Sequence, residues 1–236
     1  MFSQLDATAE LVLNGKEIKE HMIQRDKIKF LVYKIMKRGA DILFSLVGCL
    51  LLIPISLLVK IITLCSLDFH SIFYCQNRIG KNGKEFKLYK FRSMIPNADE
   101  ELKRILKEDK EKAKEYKKMK KLTNDPRITK IGRLLRRTSI DELPQMINVL
   151  FGQMTLIGNR PYLPREKKDM GKYYKDIIKT KPGLSGFWQV SLRSRGTFQQ
   201  RLKMEQYYSN HCGLKFDIQI FFKTIGVVFK LDENAK

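Results

Sequence analysis

Cysteine, histidine and acidic side chains are scarce in this chain, and each shortage removes a class of function. The four cysteines, Cys49, Cys65, Cys75 and Cys212, form no Cys-x-x-Cys pair, and two lie in or beside an apolar run. That excludes a disulfide framework and a zinc site and fits a reducing compartment. His21, His70 and His211 are scattered, so no histidine metal cluster is expected. Neither G-x-G-x-x-G after a strand nor G-x-x-x-x-G-K-[ST] occurs, which excludes Rossmann and P-loop nucleotide sites. Internal repeats are absent. Residues 1–30 carry mixed charges without an apolar core and cleavage site, so they are expected to be a partly helical extension, not a secretory signal.

Acids number 25 against 46 lysines and arginines, giving a formal net charge of +21. Such an excess calls for an anionic partner: nucleic acid, a membrane surface or a phosphorylated substrate. With 43% hydrophobic residues the chain can still bury a core, so disorder throughout is excluded.

Residues 42–64, ILFSLVGCLLLIPISLLVKIITL, contain a single charge, Lys60. A straight helix rising about 1.5 Å per residue over this run just crosses a bilayer. A buried core helix is the blander alternative, disfavoured because the run is apolar on every face. Pro54, near the middle, removes a backbone donor and predicts a kink. Basic residues flank the run on both sides: Lys34, Lys37 and Arg38 before it, Arg78 to Arg92 after it. The positive-inside rule keeps both flanks on the cytoplasmic side, which favours a re-entrant helix bent at Pro54 over a true span.

Further on, FYCQNRIGKNGKEFKLYKFRSM (73–94) predicts a β-hairpin turning at Asn82-Gly83. Lys90 and Arg92, two apart, are expected on one strand face, either as a site or as a solvated basic face. Residues 98–121 predict one charge-dense helix laced with Glu–Lys pairs, solvated or facing a membrane. No nucleic-acid-binding motif accompanies that helix, so no nucleic-acid partner is expected.

The densest stretch runs from 124 to 161. Arg127, Arg133, Arg136 and Arg137 gather ahead of adjacent carboxylates in TSIDELPQ, residues 138–145. Ser139 and Glu142 match a capping box. Pro144, however, is most comfortable in a first helical turn, so Asp141 is the expected N-cap of a helix over Leu143–Leu150 that ends before Gly152. Capping and chemistry remain alternative or joint roles for the pair. Arginines neutralise phosphate oxygens, and a carboxylate can hold Mg2+, attack phosphorus or handle a proton. Asp217, the one acid in the apolar run 214–229, reads in isolation as a helix cap.

Taken in order, KRGADILFSLVG, RIGKNGKEFKLYKFRSM, DPRITKIGRLLRRTSIDELPQMINVLFGQMTLIGNRP, PGLSGFWQV and FDIQIFFKTI resemble the bacterial sugar transferases, the monotopic polyprenyl-phosphate phosphoglycosyl transferases. The resemblance runs from about Lys37 to Phe229, and its long central piece is highly specific. It implies transfer of a sugar 1-phosphate from a UDP-sugar to undecaprenyl phosphate, with release of UMP, at the start of capsule, exopolysaccharide, lipopolysaccharide or glycan assembly. It also implies a nucleophile at Asp141, assisted by Glu142 with Mg2+. Phosphate-binding positions fall on Lys90, Arg136, Arg160 and Arg193 (Arg195 being the alternative to the last), and a further active-site acid on Asp217.

Three places depart from the family pattern. Ile53-Pro54 replaces Ser-Pro, Asn159-Arg160-Pro161 replaces Pro-Arg-Pro, and Ser191-Leu192-Arg193 replaces Asn-Gly-Arg.

Residues and resemblance together imply a mostly helical α+β fold in three parts. These are an N-terminal extension over 1–33, a proline-broken re-entrant membrane helix over 34–68, and a cytoplasmic catalytic domain over 69–236 with a small β-hairpin and interfacial amphipathic helices. The expected location is the bacterial cytoplasmic membrane, in contact with anionic lipids. The weighed alternatives are a basic membrane-surface or nucleic-acid-binding protein without activity and an enzyme with a true span. Neither the sugar nor the oligomeric state is legible.

Overall fold

A computed structural model of the protein describes residues 2–13, 27–192 and 196–229. Arg193 and its alternative Arg195 lie outside the described residues. The architecture is a mostly helical α+β fold with an antiparallel hairpin and a second, two-stranded parallel sheet.

Helix α1 (Phe2–Leu13) places Leu5 and Ala9 in the largest core cluster, beside Phe187, Trp188, Met204, Tyr208 and Ile220. Helix α2 (Lys27–Cys65) runs as one helix with Pro54 inside it. It starts seven residues before the expected boundary at residue 34, so residues 27–33 form its first turns. It is long and apolar enough to cross a membrane, with a mean hydropathy of 2.8 over its most apolar window. The buried residues of α2 are Tyr33, Asp41, Ser45, Gly48, Leu52, Val59 and Thr63, a stripe at helical spacing. The opposite face exposes Leu43, Leu50, Ile53, Leu57 and Leu58.

Strands β1 (Phe73–Ile79) and β2 (Glu85–Phe91) form the expected hairpin, registered from Phe73 opposite Phe91 to Ile79 opposite Glu85. Asn82 and Gly83, at φ 57° and 80°, supply the paired positive φ that a tight turn matching strand twist needs. The charge-dense stretch is two helices, not one: α3 (Ala98–Glu108) and α4 (Lys110–Met119). Asp109 separates them because its carboxylate accepts from the Glu111 and Lys112 N–H groups, capping α4.

Helix α5 (Lys130–Arg137) is capped by Thr129, whose hydroxyl accepts from the Gly132 N–H. A single 3-10 turn (Ile140–Glu142) and then α6 (Gln145–Leu150) follow. Strand β3 (Thr155–Ile157) pairs in parallel with β4 (Gly183–Ser185). Between them lie the short helices α7 (Lys167–Met170) and α8 (Tyr174–Ile177). The segment before Trp188 leads into a short helix, α9 (Phe187–Ser191). Helices α10 (Phe198–His211) and α11 (Leu214–Phe229) complete the core.

Candidate active site

Asp141 and Glu142 occupy the 3-10 turn between α5 and α6. This corrects the expected cap in two respects. Ser139 turns the chain through a left-handed conformation (φ 56°) and makes no side-chain cap bond, so the capping box does not form. The residue preceding α6 is Pro144, already in helical conformation, so Asp141 is not the N-cap. The proline ends the 3-10 turn and starts the helix, and both acids are thereby left free of a capping job.

The two carboxylates sit differently. Asp141 is buried. Glu142 is partly exposed, and its Oε1 accepts from Lys90 Nζ at 2.7 Å. Burial pushes the Asp141 carboxyl up to about 6, and the adjacent Glu142 adds to the rise, while Lys90 and Arg136 oppose it. Burial also resists ionisation of Glu142, but Lys90 and Arg160 outweigh it and hold that carboxyl below the ordinary range. One acid of the dyad is therefore firmly ionised and the other titrates near neutrality.

The cations come from three elements. Lys90 projects from β2, next to Phe91, which is buried against Leu52, Val59 and Leu135. Arg136 belongs to α5, and its Nε donates to Ser93 Oγ at 2.9 Å. That contact depends on Gly132, because a Cβ there would fall 1.9 Å from the Ser93 carbonyl oxygen. Burial lowers the Arg136 pKa, against the pull of Asp141. The third cation, Arg160, lies in the segment after β3 and acts on Glu142.

Not all of the sequence-predicted basic residues join this group. Arg127 is bound through two nitrogens to Asp125, at 2.8 and 2.6 Å, in a buried pair. Arg133 and Arg137 are exposed. Arg92 parts from Lys90: it pairs with Asp68 at 2.7 Å and donates to the Ser71 carbonyl. It ties the end of α2 to the hairpin.

Asp217 lies in the first turn of α11, but its hydrogen bonds do not cap that helix. Its carboxylate accepts from the Tyr33 hydroxyl (2.8 Å), the Tyr208 hydroxyl (2.7 Å) and Lys37 Nζ. Lys37 also donates to the Ile157 carbonyl. The partners of Asp217 thus belong to α2 and α10, and the dyad is not among them.

Three contributors went unread in the sequence. Ser93 orients Arg136. Arg78, noted only as flanking charge, is buried, with its pKa lowered to about 10 by burial and by Arg160. Glu205 accepts from the Arg160 backbone N–H at 3.1 Å. The spacing of Arg201, Glu205 and Ser209, four apart on one helix face, was the available signal.

A buried acid beside an ionised one, with three cations acting on the pair, makes this a candidate site for phosphate chemistry. Residues 32–231 match the family model described as bacterial sugar transferase, and the chain belongs to that family. It is 42% identical over 194 residues to a UDP-galactose-lipid carrier transferase of Erwinia amylovora, covering 80% of this chain and 40% of that protein. It is 37% identical over 194 residues to the exopolysaccharide production protein ExoY of Sinorhizobium fredii, covering 82% and 85%. An undecaprenyl-phosphate galactose phosphotransferase of Salmonella typhimurium is 40% identical over 202 residues, covering 84% of this chain and 41% of that protein. The chain therefore spans about two fifths of the Erwinia and Salmonella relatives and most of the ExoY protein.

Proposed function

We propose that the chain is a polyprenyl-phosphate sugar-1-phosphate transferase, acting through a covalent intermediate on Asp141. The relatives named for undecaprenyl-phosphate and lipid-carrier transfer support the reaction class. The observation that carries the mechanism is the split behaviour of the dyad, with Glu142 held ionised by Lys90 and Asp141 buried beside it.

In this reading an Asp141 oxygen attacks the sugar-bearing phosphorus of a UDP-sugar. The new bond is carboxyl oxygen to phosphorus, the bond to the UMP oxygen breaks, and UMP leaves. An oxygen of undecaprenyl phosphate then attacks the same phosphorus, forming a lipid diphosphosugar and freeing the carboxylate. Arg136 and Arg160, with Lys90, neutralise the phosphate oxygens, the task for which guanidinium forks are suited. Arg193 is proposed for the same task on the resemblance alone.

Among the described residues no group of three or more metal-binding side chains occurs, which argues against an all-protein cage. Two adjacent carboxylates do fit Mg2+, which keeps waters and is commonly shared with substrate phosphates. Asp141 and Glu142 would hold it, and when bound it supplies charge neutralisation to the diphosphate. Orientation and proton handling remain with the protein.

The membrane reading rests on α2. Its buried stripe packs on the domain both before and after Pro54. On the N-terminal side Asp41 accepts from the Leu156 N–H, and Arg38 donates to the Val149 and Leu150 carbonyls. On the C-terminal side Val59 packs with Phe91 and Leu135. A helix docked along one domain in this way, with an apolar outer face, supports a re-entrant path that returns to the cytoplasmic side. Labelling a cysteine placed near the N-terminus from outside the cell tests it, because labelling excludes the re-entrant path.

UMP release from a panel of UDP-sugars, with Mg2+ and undecaprenyl phosphate, tests the reaction. Release with at least one sugar is expected. Absence with all of them favours a basic membrane-surface protein without activity.

A further inference from the structure

Arg160, whose charge lowers the pKa of Glu142, belongs to an irregular segment, residues 159–162. Helix α10 presents to that segment a buried polar stripe in an otherwise core-facing helix: Arg201, Glu205 and Ser209, at 5%, 3% and 6% exposure. Their spacing of four residues puts them on one face. Ser209 Oγ accepts from Asn159 Nδ2 at 2.6 Å, and Thr180 Oγ1 lies 3.1 Å from the same nitrogen. Glu205 Oε1 accepts from the Arg160 N–H at 3.1 Å. From the other side, Arg78 Nη1 donates to the Pro161 carbonyl at 2.9 Å, and the Ile79 N–H donates to the Tyr162 carbonyl at 2.8 Å. Each of these four consecutive residues is thus gripped by α10 or by β1.

We infer that Glu205 is a positioning residue of the active site, and that the Glu205–Ser209 face of α10 fixes Arg160 towards Glu142 and so sets the hold on the donor diphosphate. A buried carboxylate beside Arg201 and Arg160 has no apolar packing duty that a leucine would not fill better. Its Oε1 is spent on a main-chain N–H, not on a side-chain ion pair. In place of the proline found at position 159 in the family pattern, this chain has an asparagine whose amide is bonded to α10. Rigidity lost from the ring is recovered by hydrogen bonds. Burial, opposed by Tyr162, Arg201 and Arg160, raises the Glu205 carboxyl to about 7, so the stripe is not merely solvated charge.

This inference rests on the proposed phosphotransferase reading, and two readouts separate them. The first is amide hydrogen exchange of the peptide covering residues 158–162 in the full-length protein. Protection is expected in the wild type and in Glu205→Gln, which keeps an acceptor oxygen, and faster exchange in Glu205→Leu and Ser209→Ala. The second is steady-state kinetics of UMP release. Glu205→Leu is expected to raise KM for the UDP-sugar about tenfold or more, with Glu205→Gln within about threefold of the wild type. In an Arg160→Ala background, Glu205→Leu should add less than about twofold, since it acts through Arg160.

A full tenfold loss in that background overturns the positioning role, as does unchanged exchange in both Glu205→Leu and Ser209→Ala. Ser209→Ala removes one hydroxyl, so it decides the matter if Glu205→Leu fails to fold. A wild type that releases no UMP defeats the phosphotransferase reading, and hydrogen exchange alone then decides whether the clamp exists.

Discussion

Lys90 Nζ and Glu142 Oε1 stand 2.7 Å apart, joining strand β2 to the 3-10 turn across 52 residues of sequence. The pair sets the charge of the site. Lysine holds Glu142 ionised, and the resulting negative charge helps to keep its neighbour Asp141 protonated up to about pH 6.

Turnover should follow that balance. A nucleophilic Asp141 must be ionised, so kcat/KM for the donor is expected to fall as pH drops through about 6. Lys90→Met removes the largest force favouring ionisation. Its acid limb should move to higher pH, and its turnover at pH 7.5 should fall about a hundredfold. A pH–rate profile of both proteins checks this, and an unmoved limb would count against Lys90 acting on the dyad.

Asp141 also links stability to pH. Its folded pKa lies above the value of 3.8 for the free group, so the folded state binds the proton more tightly. The stability this contributes is full below about pH 4 and is lost as pH rises through about 6. At pH 7.5 the wild type carries a buried charge worth up to roughly 3 kcal/mol of destabilisation. Asp141→Asn should therefore melt higher than the wild type at pH 7.5, with the difference vanishing near pH 4. Thermal melts at both values test the sign.

Gly132→Ala is expected to separate α5 from Ser93, because the added Cβ collides with main chain and not with a flexible side chain. Arg136 then loses its bond to Ser93 Oγ. Turnover should fall at least tenfold and Tm by several degrees, while an alanine at exposed Arg137 should change neither.

The Lys37–Asp217 pair, with Tyr33 and Tyr208, fastens α2 to α10 and α11. Asp217→Asn should weaken three hydrogen bonds to a charged acceptor and cost about 2 kcal/mol or more. Its acid limb should remain that of the wild type, because its partners are not those of the dyad. A shifted limb would instead place Asp217 in the proton chemistry.

Local chemistry made part of this structure readable in advance. Asn82-Gly83 predicts its turn because few other pairs accept positive φ twice, and the apolar run predicts a long helix by composition alone. The break at Asp109 was harder to read, since its side chain competes with the helix only through bonds two and three residues ahead. Ser139 in the left-handed region, which removes Asp141 from the cap, has no signature in residue type. The contacts that complete the site join residues far apart in the chain: Arg136 with Ser93, and Arg160 with Glu205. Patterns of neighbours do not encode such pairs; only packing brings them together.

The central claim is that Asp141 carries the sugar phosphate. Intact-mass spectrometry of the protein incubated with Mg2+ and the UDP-sugar that supports UMP release, without the lipid acceptor, tests it most directly. The account predicts a mass increase of one phosphosugar on the wild type, discharged by undecaprenyl phosphate and absent from Asp141→Asn. An equal adduct on both proteins, or turnover by Asp141→Asn at the wild-type rate, would contradict it.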